Sequence, residues 1–377
     1  MIYRKQLDTI KKRLFKQKVI LLLGARQVGK TTLLKRLVKD LDVKTEWLNA
    51  DEGDILNELI AATTSTQLLA MVGKGTRLII IDEAQQVPDI GLKLKLLIDT
   101  SPNIQVIATG SSSFDLLNRT NEPLTGRKRL FYLYPLSFAE MAAYSSRREE
   151  KRMLERRLIY GYYPEVVNNP GSEKEVLLEI AQSYLYKDVL RFDGIRKSAI
   201  LEKLLKALAF QVGSEVSFNE LARTIGNIEG ATVEKYLDLL EKTYVIYKLP
   251  ALSRNMRNEI KKGKKYYFFD NGIRNVLINN FSSLDYRFDK GALWENFLLS
   301  ERIKHNHYTG LTPNTYFWRT HDQAEIDYIE ESDGMLNAFE MKWDKTKIRF
   351  PNSFLKSYPN HQTHLVNKDN FQDFVSF

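Results

Sequence analysis

The sequence has 377 residues, of which 43% are hydrophobic and 27% are charged, and this composition excludes a largely disordered or collagen-like chain. It contains no cysteine, which excludes disulfides, cysteine-ligated zinc, iron–sulfur clusters and thiol catalysis. Lysine and arginine together number 56 against 47 acids, so the net charge of +9 permits an anionic partner without identifying one.

The sequence shows neither a membrane-spanning segment nor a secretory signal. No uninterrupted apolar run approaches the roughly 18 residues that cross a bilayer, and the first residues lack the apolar core of a signal sequence. We therefore expect a cytoplasmic protein with no membrane partner. At roughly 100–200 residues per domain, the length predicts two to four domains.

A glycine-rich motif follows the first apolar run. Val19–Leu23 predicts a buried strand, the next residues have the pattern Gly-x-x-x-x-Gly-Lys-Thr, and Thr32 begins a segment with helical spacing. The backbone N–H groups of such a loop and the N-terminus of its helix hold phosphate oxygens. Lys30 is expected to reach the β- and γ-phosphates of ATP, and Thr31 to ligate Mg²⁺. The predicted ATP-binding residues are Gly24, Ala25, Arg26, Gln27, Val28, Gly29, Lys30, Thr31 and Thr32.

A second apolar run ends in two acids. Residues 78–81 predict another buried strand, which Asp82 and Glu83 follow. In open α/β sheets, ligands bind at the carboxyl ends of the strands. We expect Asp82 to hold the Mg²⁺ shell and Glu83 to polarise an attacking water, which makes the protein a hydrolase rather than a passive nucleotide binder.

Two further groups near the predicted nucleotide each have a second explanation. A third strand, 104–108, precedes Thr109 and Ser111, which are candidates to sense the γ-phosphate, although ordinary helix capping explains them equally well. Arg127 and Arg129 precede another apolar strand. Either arginine could stabilise charge on the transferred phosphate, within the chain or from a neighbouring subunit, or could belong to a solvated basic loop.

Five segments occur in this order along the chain: Gly-Ala-Arg-Gln-Val-Gly-Lys-Thr-Thr-Leu, Ile-Ile-Asp-Glu-Ala-Gln, Ala-Thr-Gly-Ser-Ser-Ser, Leu-Thr-Gly-Arg and Tyr-Pro-Leu-Ser-Phe-Ala-Glu. With these segments the sequence resembles the prokaryotic AAA-type ATPases with a DUF4143 region. The resemblance covers essentially the whole chain. It implies an ATPase core with a helical extension, a winged-helix segment and a nuclease-like C-terminal fold, but not what ATP hydrolysis drives.

The middle of the chain predicts a winged helix. A capping box at 217–220 opens one helix, and the apolar spacing after the turn at 226–230 predicts a second. Two apolar segments, 245–249 and 265–269, then predict a strand pair. Helix, turn, helix and hairpin in this order are typical of a winged helix.

The tip of this hairpin is basic and predicts contact with the phosphate backbone of DNA. The DNA-contact candidates are Arg254, Arg257, Lys261, Lys262, Lys264 and Lys265. The second helix, however, carries Glu234, Asp238 and Glu241, which disfavour reading of bases. The alternative is a winged helix used for domain packing, with a solvated basic loop.

Two alternating segments near the C-terminus predict a β-hairpin with Asp-Gly at its turn, 333–334. In this register Asp327 faces Glu340 and Glu325 faces Lys342. The predicted apolar face consists of Ile326, Tyr328, Phe339 and Met341. Directly opposed carboxylates repel unless a cation lies between them. Lys342 serves partly, and a divalent metal would serve better.

Asp followed by Glu-x-Lys is the pattern of the PD-(D/E)xK nucleases, in which two acids bind Mg²⁺ and the lysine assists the attacking water or the phosphate. Asp327 and Glu340 are therefore candidates for a second metal site, with Lys342 beside them. Glu295, on a helix with apolar neighbours, is expected to complete the catalytic set. An amphipathic hairpin with a solvated polar face is the alternative, and a vestigial nuclease fold without cleavage activity is another.

Together these features predict an α/β protein: a P-loop parallel sheet with a helical extension, followed by a winged helix and a small restriction-endonuclease-like domain. The predicted divisions are 1–140, 141–195, 196–270 and 271–377. We expect ATP and Mg²⁺ as cofactors, and hydrolysis coupled to DNA binding or remodelling, with DNA and a second copy as partners. The alternative is a nucleotide-controlled protein-assembly switch whose C-terminal domain is a non-catalytic binding module.

Overall fold

The structure is a computed structural model that describes residues 2–111, 120, 123–183, 198–253, 263–320 and 322–376. Its contacts divide the chain into two compact units. The N-terminal unit consists of Tyr3–Pro135 and Lys242–Tyr244. The C-terminal unit consists of Leu136–Glu241 and Val245–Phe377, together with residues 1–2. No helix in the described part of the chain is long and apolar enough to cross a membrane.

Five parallel strands form the sheet of the N-terminal unit. Their bounds are β1 Val19–Leu23, β2 Thr45–Asn49, β3 Leu78–Asp82, β4 Gln105–Gly110 and β5 Lys128–Tyr132. The order across the sheet is β2-β3-β4-β1-β5. The three central strands are buried along their whole length, which explains the continuous apolar runs of β1 and β3. The predicted α/β fold with a parallel sheet is confirmed.

Along the chain, the helices of this unit precede the first strand or lie between successive strands. They are α1 Gln6–Lys11, α2 Lys30–Leu41, α3 Gly53–Ala61, α4 Ser65–Ala70 and α5 Ile90–Thr100. In α2, Leu33, Leu34 and Leu37 are buried, so one apolar stripe at helical spacing packs inward. Because α2 begins directly after the glycine-rich loop, its N-terminal N–H groups lie where that loop ends.

Short helices open the C-terminal unit. Their bounds are α6 Phe138–Tyr144, α7 Arg147–Arg152, α8 Leu154–Tyr160, α9 Pro164–Asn168 and α10 Glu173–Ile180. Ser137 and Glu140 form a capping box that starts α6. Pro164 occupies the first turn of α9, where its missing N–H costs nothing.

A second group of elements carries a three-stranded antiparallel sheet. These elements are α11 Ser198–Phe210, β6 Glu215–Val216, α12 Phe218–Gly226, α13 Gly230–Lys242, β7 Ile246–Pro250 and β8 Lys264–Phe268. The sheet order is β6-β8-β7. The Ser217 side chain caps α12 by accepting the Glu220 N–H at 3.4 Å. The predicted apolar face of α13 is buried, as expected from its spacing.

The last part of the chain builds a four-stranded mixed sheet. Its elements are α14 Asn271–Leu277, α15 Lys290–Thr309, β9 Asn314–Arg319, β10 Glu325–Ser332, β11 Met335–Met341, α16 Asn352–Ser357, β12 His361–Val366 and α17 Phe371–Val375. The order is β12-β11-β10-β9, with β11 and β12 parallel and the other pairs antiparallel. On α15, Trp294 and Phe297 pack against Phe371 with ring centroids 5.4 and 6.0 Å apart.

The predicted hairpin register is confirmed from the turn to the middle of the strands. Ser332 pairs with Met335, and the ladder continues to the pair of Tyr328 and Phe339. The predicted apolar face is wrong in one residue, because the register of β10 against β9 shifts between Ile326 and Ile329. This irregularity places both isoleucines in the same buried cluster.

Replacing Gly161 by alanine is expected to destabilise the protein by about 2–4 kcal/mol. Its φ of +74° disfavours any side chain, and a Cβ would lie 2.0 Å from Asp270 Oδ1. That carboxylate is buried and accepts the Tyr162 N–H at 2.7 Å, so it cannot move away without losing this bond. The measurement is the free energy of unfolding in urea.

Gly171→Ala is the matched control. Its φ of +102° is also positive, but nothing lies within 4 Å of the added Cβ. The control should therefore lose only the backbone term of about 1 kcal/mol. Equal losses at the two glycines would contradict the clash with Asp270.

Candidate functional site

The loop after β1 is held against the chain that follows β5. The Leu133 N–H donates to the Leu23 carbonyl at 2.7 Å, and a Cβ on Gly24 would lie 2.1 Å from the Leu133 carbonyl oxygen. Only glycine fits this approach. Gln27, at the exposed outer part of the loop, has a left-handed φ of +62°. The loop is therefore tightly curved, as phosphate binding requires.

Lys30 is the first residue of α2 and its side chain is buried beneath the loop. The ammonium donates to the carbonyl oxygens of Gly24 and Ala25 at 2.8 and 2.9 Å. These neutral acceptors orient the ammonium without cancelling its charge. Bound phosphate oxygens at the N-terminus of α2 would meet this ammonium and the N–H groups of the first helical turn.

Arg4 supports the loop and was not foreseen in the sequence. Its guanidinium donates to the carbonyl oxygen of Val28 at 2.7 Å and to that of Tyr134 at 2.5 Å. Arg4 is buried, so these charge-assisted bonds tie the loop to the end of β5 away from water. No local pattern around residue 4 signals this role, because both partners are distant in sequence.

Asp82 collects two hydroxyl groups at the end of β3. Thr31 Oγ1 donates to Asp82 Oδ2 at 2.9 Å, and Thr109 Oγ1 donates to the other carboxylate oxygen. The structure thus brings Thr31 and Asp82 together, as the sequence predicts. A hydroxyl oxygen next to a carboxylate suits Mg²⁺, which prefers hard oxygen ligands, so these residues fit the expected ion.

Glu83 projects from a residue with a left-handed φ of +52° directly after β3. Its N–H donates to Thr109 Oγ1 at 3.1 Å. Its carboxylate accepts from Gln85 Nε2 at 2.5 Å and from Ser111 Oγ at 3.4 Å. The two sensor candidates, Thr109 and Ser111, therefore contact both acids, and Gln85 is a further neighbour that the motif did not reveal. A role in sensing the γ-phosphate stays a prediction.

The predicted role of Arg127 within its own chain is wrong on geometric grounds. Lys128 pairs with Val19, so Arg127 lies at the amino-terminal edge of the parallel sheet. The glycine-rich loop leaves from the opposite edge, after Leu23. Arg127 instead forms an exposed ion pair with Asp99 at 3.0 Å. Its action on a neighbouring copy stays a prediction.

A second site lies in the C-terminal unit, where Asp327, Glu340 and Lys342 form what we call the acid–lysine site. The Lys342 ammonium lies 2.8 Å from Asp327 Oδ2 and 2.9 Å from Glu340 Oε2. The Met341 N–H also donates to Asp327 Oδ2, at 2.7 Å. Both carboxylates are buried. The structure therefore brings the three predicted residues together around one ammonium.

Burial and repulsion between carboxylates disfavour the ionised form of Glu340. Desolvation, together with the nearby Asp327 carboxylate, raises the pKa of Glu340 from 4.5 to about 7. Burial alone would lower the pKa of Lys342, but Asp327 and Glu340 outweigh it and raise that pKa. The lysine thus stays charged and counters part of the acid charge.

Glu295 makes its contacts with β8 rather than with the acid–lysine site. Glu295 Oε1 accepts from the Tyr267 hydroxyl at 2.6 Å and lies 3.6 Å from Lys265 Nζ. Burial raises the pKa of Glu295 from 4.5 to about 7, against the opposing effect of Lys265. Asp327 also raises it, so the two acids interact electrostatically.

The donor set of this site suits a metal with few protein ligands. Asp327 and Glu340 converge on the Lys342 ammonium. If Mg²⁺ or Mn²⁺ were bound by these two carboxylates, it would keep several waters. Within the described ranges, no group of three or more histidine and acid side chains is close enough to hold a metal. The third acid expected from the sequence, Glu295, is therefore not part of a three-carboxylate cluster.

The structure describes two of the six predicted DNA-contact residues, Lys264 and Lys265. Arg254, Arg257, Lys261 and Lys262 lie outside the described residues. The assignment of Lys265 to a DNA-binding surface is wrong, because this side chain is buried among acids. Lys264, one residue earlier, points to the other face of β8 and pairs with Glu234 at 3.2 Å. Strand alternation separates the two lysines, and adjacent positions in a sequence do not reveal which one faces inward.

Three family models match the chain. A model described as an AAA domain matches residues 16–142, which include the glycine-rich loop, Asp82 and Glu83. A domain of unknown function, DUF8612, matches residues 151–284. Another, DUF4143, matches residues 290–375, which include Glu295 and the acid–lysine site.

Relatives occur in bacteria and archaea. An uncharacterized protein of Mycobacterium tuberculosis is 28% identical over 344 residues, covering 89% of this chain and 73% of that protein. An uncharacterized protein of Methanocaldococcus jannaschii is 24% identical over 336 residues, covering 84% of this chain and 73% of that protein. Among solved structures, the Walker-type ATPase of Pyrococcus abyssi has a TM-score of 0.53 at 18% identity, covering 74% of this chain and 96% of that one. This last likeness shows a shared fold.

Glu295→Gln is expected to gain stability relative to the wild type as the pH rises. The pKa of Glu295 is raised from 4.5 to about 7, so the unfolded chain loses this proton first and wild-type stability falls through that window. Glutamine does not titrate. The difference in unfolding free energy should grow by about 1–3 kcal/mol between about pH 5 and about pH 8.

Urea denaturation of both proteins at the two pH values measures this change. Glu331→Gln, a half-exposed position on β10, controls for the loss of one charge. A stability difference for Glu295→Gln that does not vary with pH would show that burial does not disfavour its ionised form.

Proposed function

We propose that this chain, which is an AAA-type P-loop ATPase with a C-terminal DUF4143 domain, couples hydrolysis of Mg²⁺-ATP to metal-dependent cleavage of DNA. The convergence of Asp327 and Glu340 on Lys342 supports the cleavage activity. We assign ATP chemistry to residues 1–140, a helical connector to 141–195, a winged helix to 196–270 and the nuclease-like domain to 271–377.

In the N-terminal unit, each polar residue has a separate task. Lys30 and the N–H groups of the loop bind the phosphates and counter their charge. Thr31 and Asp82 supply oxygen ligands to Mg²⁺, which neutralises phosphate charge when bound. Glu83, oriented by Gln85, is placed next to Asp82 to accept a proton from the attacking water.

Lys30→Ala should abolish ATP binding, whereas Glu83→Gln should bind ATP and lose turnover by about 100-fold or more. The first change removes the phosphate-binding ammonium, and the second removes only the proton acceptor while keeping the shape of the side chain. Binding of a fluorescent ATP analogue and release of inorganic phosphate measure the two steps separately.

Lys35→Ala, an exposed position on the same helix, is the control and should retain both properties. Turnover at the wild-type rate in either variant would overturn the assignment of that residue.

In the acid–lysine site, the chain supplies two carboxylates and one ammonium. Asp327 and Glu340 would hold Mg²⁺ or Mn²⁺, which activates water and stabilises charge on phosphorus when bound. Lys342, whose side chain is 34% exposed, can donate to a phosphate oxygen or to the attacking water. The Met341 N–H fixes the orientation of Asp327.

The order of α11, β6, α12, α13, β7 and β8 supports a winged helix. We propose that Lys264, the first residue of β8, and the four basic candidates outside the described residues contact the DNA backbone. The acids of α13 limit this interaction. Glu234 pairs with Lys264 at 3.2 Å and Glu241 pairs with Lys248 at 3.3 Å.

This neutralisation favours a second candidate, a nucleotide-controlled assembly switch. Here ATP would change self-association of the chain, and the C-terminal unit would be a non-catalytic binding module. The exposed Arg127, paired with Asp99 in its own subunit, would then be available to reach a neighbouring copy.

Asp327→Asn should abolish nicking of plasmid DNA by the purified protein in Mn²⁺ or Mg²⁺. The substitution removes the charge that binds the metal but keeps the size of the side chain. Asp333→Asn, an exposed position at the turn of the same hairpin, is the control and should cut like the wild type.

Absence of cleavage by the wild type with either metal would overturn the nuclease proposal. In that case the switch predicts that the oligomeric state changes with ATP in the wild type and not in Lys30→Ala, as measured by analytical ultracentrifugation.

A further inference from the structure

We propose that the buried ammonium of Lys265 weakens metal binding at the acid–lysine site, because it pairs with Glu295 and so keeps that carboxylate from the metal. This inference rests on the metal site proposed above. It adds a residue from β8, outside the Asp…Glu-x-Lys pattern, to the residues that determine how that site binds a metal.

Lys265 is an unusual residue for the interior of a sheet. Its side chain is only 2% exposed. The ammonium contacts the Glu325 carboxylate, lies 3.6 Å from Glu295 Oε1, and sits 5.2 Å from the ring centre of Phe317. Burying an ammonium is costly unless acids compensate it, and here those acids come from two other elements, α15 and β10. They raise the pKa of Lys265 despite its burial, so the ammonium stays charged.

Strand alternation directs Lys265 and Tyr267 to the same face of β8. Both reach the same oxygen of Glu295, the lysine at 3.6 Å and the tyrosine hydroxyl at 2.6 Å. β8 is the central strand of its sheet. β7 pairs with both residues and β6 pairs with Lys265, so the backbone that carries these two side chains is held in place. They therefore hold Glu295 towards β8.

Four carboxylates and two ammonium groups thus share this region. The acids are Glu295, Glu325, Asp327 and Glu340, and the cations are Lys265 and Lys342. The Asp327 carboxylate raises the pKa of both Glu295 and Lys265. A change of charge at the acid–lysine site therefore changes the electrostatic potential at Lys265 and Glu295, and the reverse also holds. A metal at Asp327 and Glu340 would have to compete with Lys265 and Tyr267 for Glu295, so weakening either contact should favour the metal.

Removing the charge of Lys265 should therefore strengthen metal binding. Lys265→Met keeps most of the aliphatic side chain but removes the cation that pairs with Glu295, and we expect Mn²⁺ to bind about tenfold more tightly. Titration of the nucleotide-free full chain with Mn²⁺, followed by electron paramagnetic resonance, measures this. Only the binding that Asp327→Asn abolishes in each background is counted, which separates this site from the ATP site.

Lys248→Met is the matched control, because it removes one exposed lysine from β7 of the same sheet. It should leave the Mn²⁺ affinity unchanged. Adding Glu295→Gln to Lys265→Met should reverse the gain, since the neutral amide cannot replace the released carboxylate. A gain that persists in the double variant would overturn the role of Glu295.

Tyr267→Phe provides a second route if Lys265→Met does not fold, as judged by thermal unfolding. It removes one hydrogen bond to Glu295 and should tighten Mn²⁺ binding about twofold to threefold. Unchanged or weaker binding in the folded variants, or no Asp327-dependent binding in any protein, would overturn the inference. Tighter binding in the variants without DNA cleavage by the wild type would support the inference while overturning the proposed nuclease activity.

Discussion

The parallel direction of all five strands in the N-terminal sheet brings its polar residues to one edge. β1, β3 and β4 are neighbours that end on the same side, so the glycine-rich loop, Asp82 and Thr109 meet there although 27 or more residues separate them in sequence. The hydroxyls of Thr31 and Thr109 then share the Asp82 carboxylate. The same constraint explains why Arg127, at the start of β5, cannot reach this edge within its own chain.

Pairing of buried charge governs the C-terminal unit instead. Asp327, Glu340 and Glu295 are carboxylates with little access to water, and each contacts an ammonium or a hydrogen-bond donor. Such partners are needed because an unpaired buried carboxylate would be strongly destabilising. Stability and metal binding therefore oppose each other at this site, since every lysine that stabilises the acids also competes with a metal for them.

The sequence was sufficient wherever the signal is local. The strand–loop–helix order around Lys30 and the Asp-Gly turn of the hairpin both follow from neighbouring residues, and the latter predicted the observed pairing of Tyr328 with Phe339. Arg4 and Lys265 could not be predicted in the same way, because their partners lie far away in the chain. At Lys265, moreover, either parity of the predicted strand 265–269 is plausible, because tyrosine and phenylalanine occur on both faces. The register shift beside Ile326 could not be predicted either, because the hairpin sequence indicates only a regular alternation of inward and outward side chains.

The lysines of the two sites show how the partners of an ammonium determine its chemistry. Lys30 donates to the neutral carbonyls of Gly24 and Ala25, which leave its charge available to an incoming phosphate. Lys342 and Lys265 donate to carboxylates, which already compensate their charge. An anion is thus attracted to the first site by an ammonium held among carbonyl oxygens. At the second, a divalent cation would have to compete with the ammonium groups for the same oxygens, and in the proposal above its affinity would depend on how firmly β8 holds Lys265 against Glu295.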